Sequence, residues 1–216
     1  MDAPPEEPPI ARGAEASIRR VDWLGFAAIL KERDPKSYRA KALDERLRKE
    51  RTRNEARLLG DARRAGVRTP LVYDVDLAKG RLILEELSGP TLKELLAQHS
   101  EEDGPLAAPM RSFGHALGRL HSAGLSHGDL TSSNVLFPDG ASGAPAFIDL
   151  SMGTKGGGVE ELGIDLHLVE EDLKALHPKA ERLLELFFEG YGAGNPTGQK
   201  DVRARAQEIR GRVRYA

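Results

Sequence analysis

The segment His127-Gly128-Asp129-Leu130-Thr131-Ser132-Ser133-Asn134 places a carboxylate and a side-chain amide five residues apart in a stretch of loop character. Phosphoryl transfer calls for two such groups: an oxygen base for the nucleophile's proton, and oxygen ligands for a divalent cation bridging the phosphates. Asp129 suits the first role and Asn134 the second. Either residue alone more often caps a helix or shapes a turn. Asp149, in Phe147-Ile148-Asp149, lifts the reading above that. Two short apolar runs, 135–137 and 146–148, are joined by a Gly/Pro/Ser turn. They predict a hairpin that returns Asp149 to the loop, where it would be the main Mg²⁺ ligand.

Upstream, Lys31 ends an apolar strand (26–31), and Glu55 lies on the helix that follows. A strand lysine held by a helix glutamate is how kinases orient a cation toward the α- and β-phosphates. The plainer reading leaves Lys31 solvated at a strand end and pairs Glu55 with Arg51 one turn away. Beside the downstream acidic sites, the Lys31–Glu55 pair is favoured. No G-x-G-x-x-G loop is present. The nearest candidate is Gly13-Ala14-Glu15-Ala16, whose small residues let backbone N–H groups approach phosphate. His127 is read as shaping the loop by hydrogen bonding rather than as a metal ligand.

The elements that must position these groups follow in order. Residues 1–9, with four prolines, read as a flexible arm. Strands are expected at 18–21 and 26–30, a long helix capped by Asp44 and stopped by Gly66, then strands at 72–75 and 81–85. Gly89-Pro90 marks a break. Helices follow at 91–99 and 110–123, then the hairpin, helices at 162–176 and 180–191, and a basic C-terminal helix and tail. The fold class is α+β: a bilobal, kinase-like chain with a strand-rich N-lobe (10–88) holding one long helix and a mostly helical C-lobe (89–216). The 216 residues carry a net charge of -2 and no cysteine. Disulfides, zinc–thiolate sites and cysteine nucleophiles are therefore excluded. No apolar run approaches the ~18 residues of a membrane span. The acidic, proline-rich start does not read as a signal peptide, and a cytoplasmic location is expected.

Together the motifs resemble the Bud32/PRPK family of small atypical kinases. The resemblance runs through Gly13-Ala14-Glu15-Ala16, Lys36-Ser37-Tyr38-Arg39, Arg51-Thr52-Arg53-Asn54-Glu55-Ala56-Arg57-Leu58-Leu59 and Ala65-Gly66-Val67-Arg68-Thr69-Pro70. It continues in His127-Gly128-Asp129-Leu130-Thr131, Ile148-Asp149, Asp165-Leu166, His177-Pro178 and Gly190-Tyr191. It implies that Lys31 contacts the ATP phosphates and Glu55 holds it. Asp129 would be the catalytic aspartate, and Asn134 and Asp149 the Mg²⁺ ligands. Residues 85–87, including Glu85 and Leu87, would form the adenine-binding hinge, and the activation segment would be short. It implies serine autophosphorylation and ATPase activity, and membership of the KEOPS complex beside a Kae1/TsaD-type protein and other subunits. That complex makes N6-threonylcarbamoyladenosine (t6A) in tRNA. One departure is Leu150-Ser151 where Phe-Gly is usual: serine lacks glycine's freedom at positive φ, so a strained, more restricted backbone is expected there, bearing on turnover more than on metal binding.

From Lys31 to Arg68 there are fourteen Lys/Arg against seven Asp/Glu. With Arg203, Arg205, Arg210, Arg212 and Arg214, this stretch suggests contact with tRNA phosphates; the commoner explanation of such a run is a solvated helix face. Two rival functions are a weak ATP-binding scaffold bridging Kae1 and tRNA, and a small-molecule phosphotransferase of the aminoglycoside or choline kinase type. The latter shares H-G-D-x-x-x-x-N but belongs to longer chains.

Overall fold

The computed structural model describes residues 11–12, 16–99 and 104–213, with residues 11–12 and 213 as backbone only. The expected arm over 1–9 lies outside them. A five-stranded antiparallel sheet in the order β1-β2-β3-β5-β4 forms the N-lobe. Its strands are β1 (Ala11–Arg12), β2 (Ser17–Trp23), β3 (Phe26–Glu32), β4 (Val72–Asp76) and β5 (Arg81–Glu85). β3 is central, flanked by β2 and β5. Lys31 does not end the strand: it sits within the ladder, opposite Ile18 and Leu82. Side chains two residues apart share a face of extended chain, so Lys31 and the next-but-one residue, Arg33, both turn toward the helix that follows.

That helix is α1 (Lys41–Arg64). Its entry corrects the expected cap. Ala40 holds the N-cap position, and Asp44 lies inside the first turn, where it accepts the Lys36 N–H (3.3 Å) and meets Arg48 (2.9 Å). Burial alone would raise the Asp44 pKa, but Arg48 and Lys36 together hold it below the usual carboxylate range. Gly66, at φ +76°, ends the helix as expected.

α2 (Leu92–Gln98) opens with a capping box, Thr91 and Glu94 each accepting from the other's backbone N–H. α3 (Ala107–Ser122), α4 (Val159–Leu176), α5 (Ala180–Gly194) and α6 (Gln199–Val213) complete the C-lobe, with the hairpin β6 (Val135–Leu136) and β7 (Ala146–Phe147) on the cleft side. α3 and α5 pack through glycines. A Cβ on Gly114 would lie 1.9 Å from the Phe187 carbonyl oxygen, one on Gly118 2.6 Å from that of Tyr191, and one on Gly194 2.2 Å from that of His115. The backbones therefore touch where most helix pairs are spaced by side chains. Phe113 packs against Phe187 and Phe147, joining this seam to the hairpin. Among the described residues no helix is long and apolar enough to cross a membrane.

Candidate active site

The cleft between the lobes encloses about 290 Å³. Ile18, Ile29 and Leu84 line it from the N-lobe sheet, and Leu136 and Ile148 from the hairpin. These apolar walls make a slot suited to a flat ring. The polar end of the same cleft holds Lys31, Glu55, Asn134 and Asp149.

Lys31 is buried, and its ammonium donates to Glu55 at 2.8 Å and lies 2.7 Å from Asp149. Glu55 is fully buried and pairs with Lys31, the partner favoured over Arg51. Its second oxygen accepts from Arg33 at 2.6 Å. Two cations and two carboxylates thus form a charge-balanced group, buried at Glu55 and open to the cleft at Asp149; such pairing is the condition under which buried charge is tolerated. Burial would raise the Asp149 pKa, but the Lys31 ammonium beside it and the Ser151 hydroxyl (2.7 Å) keep it below the ordinary value. Asp149 is the ionised oxygen donor of the site. With the Asn134 amide it forms a hard, oxygen-bearing edge that fits a small divalent cation shared with phosphate.

The loop before the hairpin is held from beneath. Asp165 of α4 accepts the N–H groups of His127 (2.6 Å) and Gly128 (2.8 Å). His121 of α3 donates to the same carboxylate through Nε2 (3.1 Å), while its Nδ1 meets the Tyr191 hydroxyl (2.8 Å). Burial pushes the Tyr191 phenol up to about 12, so it stays protonated and can donate to that nitrogen. His127 is fully buried. Its Nε2 lies 3.0 Å from the Ile148 carbonyl and its Nδ1 accepts the Asp129 N–H (3.3 Å), which fixes the neutral Nε2–H tautomer. Burial lowers its pKa in the same sense, against the opposing pull of Asp165. The expected loop-shaping role of His127 thus has a specific geometry. Gly128, at φ +81°, has no room for a side chain: a Cβ would lie 2.3 Å from the Met152 carbonyl oxygen. Asn134 donates to the Asp129 carbonyl (2.8 Å), closing the loop, and Asp129 itself is exposed.

Among proteins of known type, the sequence model of the lipopolysaccharide kinase (Kdo/WaaP) family matches residues 14–158. The "Probable serine/threonine-protein kinase BUD32 homolog" of Archaeoglobus fulgidus is 36% identical over 204 residues, covering 94% of this chain and 94% of that one. The chain belongs to the Bud32 kinase family. Longer relatives also match. The "Probable bifunctional tRNA threonylcarbamoyladenosine biosynthesis protein" of Methanothermobacter thermautotrophicus is 38% identical across all of this chain and 38% of its own length. The protein of the same description from Methanosarcina acetivorans is 39% identical, again over 37% of its length. The chain spans little over a third of these curated relatives. Its bilobal fold is that of the Rio2 kinase from Chaetomium thermophilum, solved as an ADP/Mg²⁺-phosphoaspartate complex, with a TM-score of 0.61 over 95% of this chain and 70% of that one, at 14% identity.

Against this Bud32 background the sequence expectations sort unevenly. Lys31, Glu55, Asn134 and Asp149 meet in one cleft, with Leu87 and Glu85 at its apolar end. The N–H groups of Glu85 and Glu86 are already committed to the carbonyls of Leu71 and Ala27. Gly13, Ala14 and Glu15 lie outside the described residues; Ala16 is buried just before β2. The backbone restriction expected at Ser151 is not seen. The positive φ falls on Asp149 (+59°), not on Ser151, and Leu150 is fully buried in the core. The C-terminal arginines are not a loose basic element. Arg205 and Arg212 meet Glu160, Arg210 pairs with Glu170, and Arg203 stacks 4.3 Å over Phe188. Arg214 lies outside the described residues. Two residues that matter were given no role from sequence. Arg33 looked like one more basic residue after a strand. Asp165 stood in a matching motif, but its hydrogen-bond partners are 37 and 38 residues away.

Proposed function

We propose that the chain is an ATP- and Mg²⁺-dependent serine/threonine kinase and ATPase that works in the cytoplasm as a KEOPS subunit. Its partners there would be a Kae1/TsaD-type protein, the other subunits of that complex and tRNA. The observation that carries the reading is Lys31 held between Glu55 and Asp149 at the polar end of an apolar slot. The names of the relatives, which place them in threonylcarbamoyladenosine biosynthesis, support the tRNA context.

ATP would supply the transferable phosphoryl group, with Mg²⁺ held by Asp149 and Asn134. The chain's own residues do the rest. Ile18, Ile29 and Leu136 sandwich the base, and the hinge reads its edge at Leu87, because the neighbouring amides are committed to the sheet. Lys31, released from Asp149 but still oriented by Glu55, neutralises phosphate charge. Asp129 accepts the proton of the attacking hydroxyl or water, its position set by the Asp165–His121 support beneath. Residues 10–88 and 89–216 would be the two lobes.

The basic surface offered to tRNA is α1 and not α6. Among the described residues, Arg46, Lys49, Arg53 and Arg57 are exposed along α1 with only partners on the same helix, whereas the α6 arginines reach Glu160, Glu170 and Phe188 on neighbouring helices. ATP hydrolysis by wild type and by Asp129→Ala, each with and without a Kae1-type protein and tRNA, tests the proposal. Turnover stimulated by the partners and reduced at least a hundredfold by the substitution is expected. Equal rates would leave an ATP-binding scaffold.

A further inference from the structure

Beyond Asp149 the chain runs as a short ribbon, residues 150–156, pinned along two edges. On one edge Ser126 N–H donates to the Thr154 carbonyl (3.0 Å), Thr154 N–H to Ser126 Oγ (3.0 Å) and Gly156 N–H to the Gly124 carbonyl (2.8 Å). These bonds tie the ribbon to the segment leading into the His127–Asn134 loop. The other edge lies on α1. There the Asn54 side-chain amide donates to two carbonyls, those of Ser151 (3.3 Å) and Gly153 (2.9 Å). Buried Asp61 meets Lys155 two turns further on, at 3.1 Å. Arg57 donates to Asn54 Oδ1 (3.2 Å), which leaves the NH₂ end facing the ribbon. The fit is close: a Cβ on Gly153 would lie 2.3 Å from the Ser126 carbonyl oxygen and 3.0 Å from Leu58 Cδ1.

We propose that Asn54 is a positioning residue for Asp149, an inference that rests on the kinase reading above. Asn54 and Glu55 are successive residues of α1, so their side chains leave the helix about 100° apart and reach different neighbours. Glu55 reaches Lys31 in the sheet; Asn54 reaches the ribbon that begins at Asp149. One helical step therefore joins the lysine and the metal-binding carboxylate into a single body. Asp149 needs such support. It is a non-glycine residue at φ +59°, a conformation that persists only where the surroundings impose it. The nearest outside anchor on its C-terminal side is the Ser151 carbonyl, two residues away, and Asn54 holds it. Ser151 Oγ then donates back to Asp149 Oδ1 at 2.7 Å, so the anchor reaches the carboxylate itself. Two Asn54 amide bonds thus hold the end of the ribbon nearest Asp149, while the Lys155–Asp61 ion pair holds its far end.

Asn54→Asp keeps the shape and removes the donor, whereas Asn54→Gln keeps the donor on a longer arm. The full chain of each is compared with wild type by amide hydrogen exchange without nucleotide and by titration with ADP at a series of Mg²⁺ concentrations. For Asn54→Asp we expect exchange over 150–156 to quicken at least tenfold. The Mg²⁺ needed for half-maximal ADP binding should rise about tenfold, with Mg²⁺-free ADP binding changed less than threefold. Asn54→Gln should recover at least half of the Mg²⁺ effect. Unchanged exchange overturns the assignment. So does faster exchange with unchanged Mg²⁺ dependence, which would reduce Asn54 to a stability role. A wild-type chain that binds no nucleotide fails the kinase reading first, and the present inference with it.

Discussion

Replacing Arg33 by methionine tests the charge-balanced group beneath the cleft. Arg33 and Glu55 are both buried, 3% and 0% exposed, and meet at 2.6 Å. Removing one partner of a buried pair costs about 3–5 kcal/mol, because the other charge is stranded. Glu55 is not wholly stranded here, since Lys31 still donates to its other oxygen. The expected loss is therefore smaller, about 2–3 kcal/mol. Glu55→Gln should cost more, about 3–5 kcal/mol. It leaves the Arg33 guanidinium with Thr52 at 3.4 Å, while Lys31 keeps Asp149. The double variant should fall short of the sum by about 1–2 kcal/mol, the coupling of two groups in contact. Urea unfolding measures this. The single tryptophan, Trp23, lies in β2 beside the strand of Lys31 and reports on the N-lobe, while circular dichroism follows the helical lobe. A shifted midpoint at unchanged slope is the expected form. A loss below about 0.5 kcal/mol for Arg33→Met, or strict additivity in the double variant, would refute the argument.

His127 is held neutral in the fold, its pKa lowered by burial from the model-peptide 6.5. Its contribution is fully present above that value and is lost as pH falls below it, because the unfolded chain then binds a proton that the native chain refuses. The fall should be at most about 1.4 kcal/mol per pH unit, the limit for one proton, and His127→Asn should flatten it in chemical denaturation between pH 6.5 and 5.5. Gly118→Ala sets a methyl group against the Tyr191 carbonyl, backbone against backbone, and should cost about 3 kcal/mol in thermal or urea unfolding. Arg53→Glu with Arg57→Glu should weaken tRNA binding and lower the salt dependence of log K by about 1.5–2, read by filter binding at several salt concentrations. Reversing Arg205 and Arg212 should instead lower stability while leaving that slope unchanged.

The grouping of the candidate site's residues was largely legible because they fall in dense local motifs. Asp129 and Asn134 share one loop, and Asp149 follows a hairpin short enough to infer from two apolar runs. Most helix and strand positions were legible for the same reason, each being a periodic stretch ended by glycine or proline. Three things were not. Arg33 gains its role from a glutamate 22 residues away, and a basic residue after a strand carries no sign of burial. The strain expected at Ser151 falls instead on Asp149, because φ depends on which residue the turn happens to centre on. Asp44 reads as a cap but lies inside the helix, drawn there by Arg48 and the Lys36 amide. The α6 arginines show the same limit from the other side: a run of positive charge does not reveal that Glu160 and Glu170 wait on the neighbouring helix.

The glycines between α3 and α5 have one more consequence. His121 lies one turn beyond Gly118 on α3, and Tyr191 lies beside Gly190 and Gly194 on α5, so the 2.8 Å between their side chains is fixed by how near the two axes can come. The seam acts as a gauge block for the loop above it. A methyl group added there would press on the spacing at which His121 meets Tyr191 and, through His121, Asp165 beneath the loop. Either helix can take a side chain at these positions only if the two shift apart together.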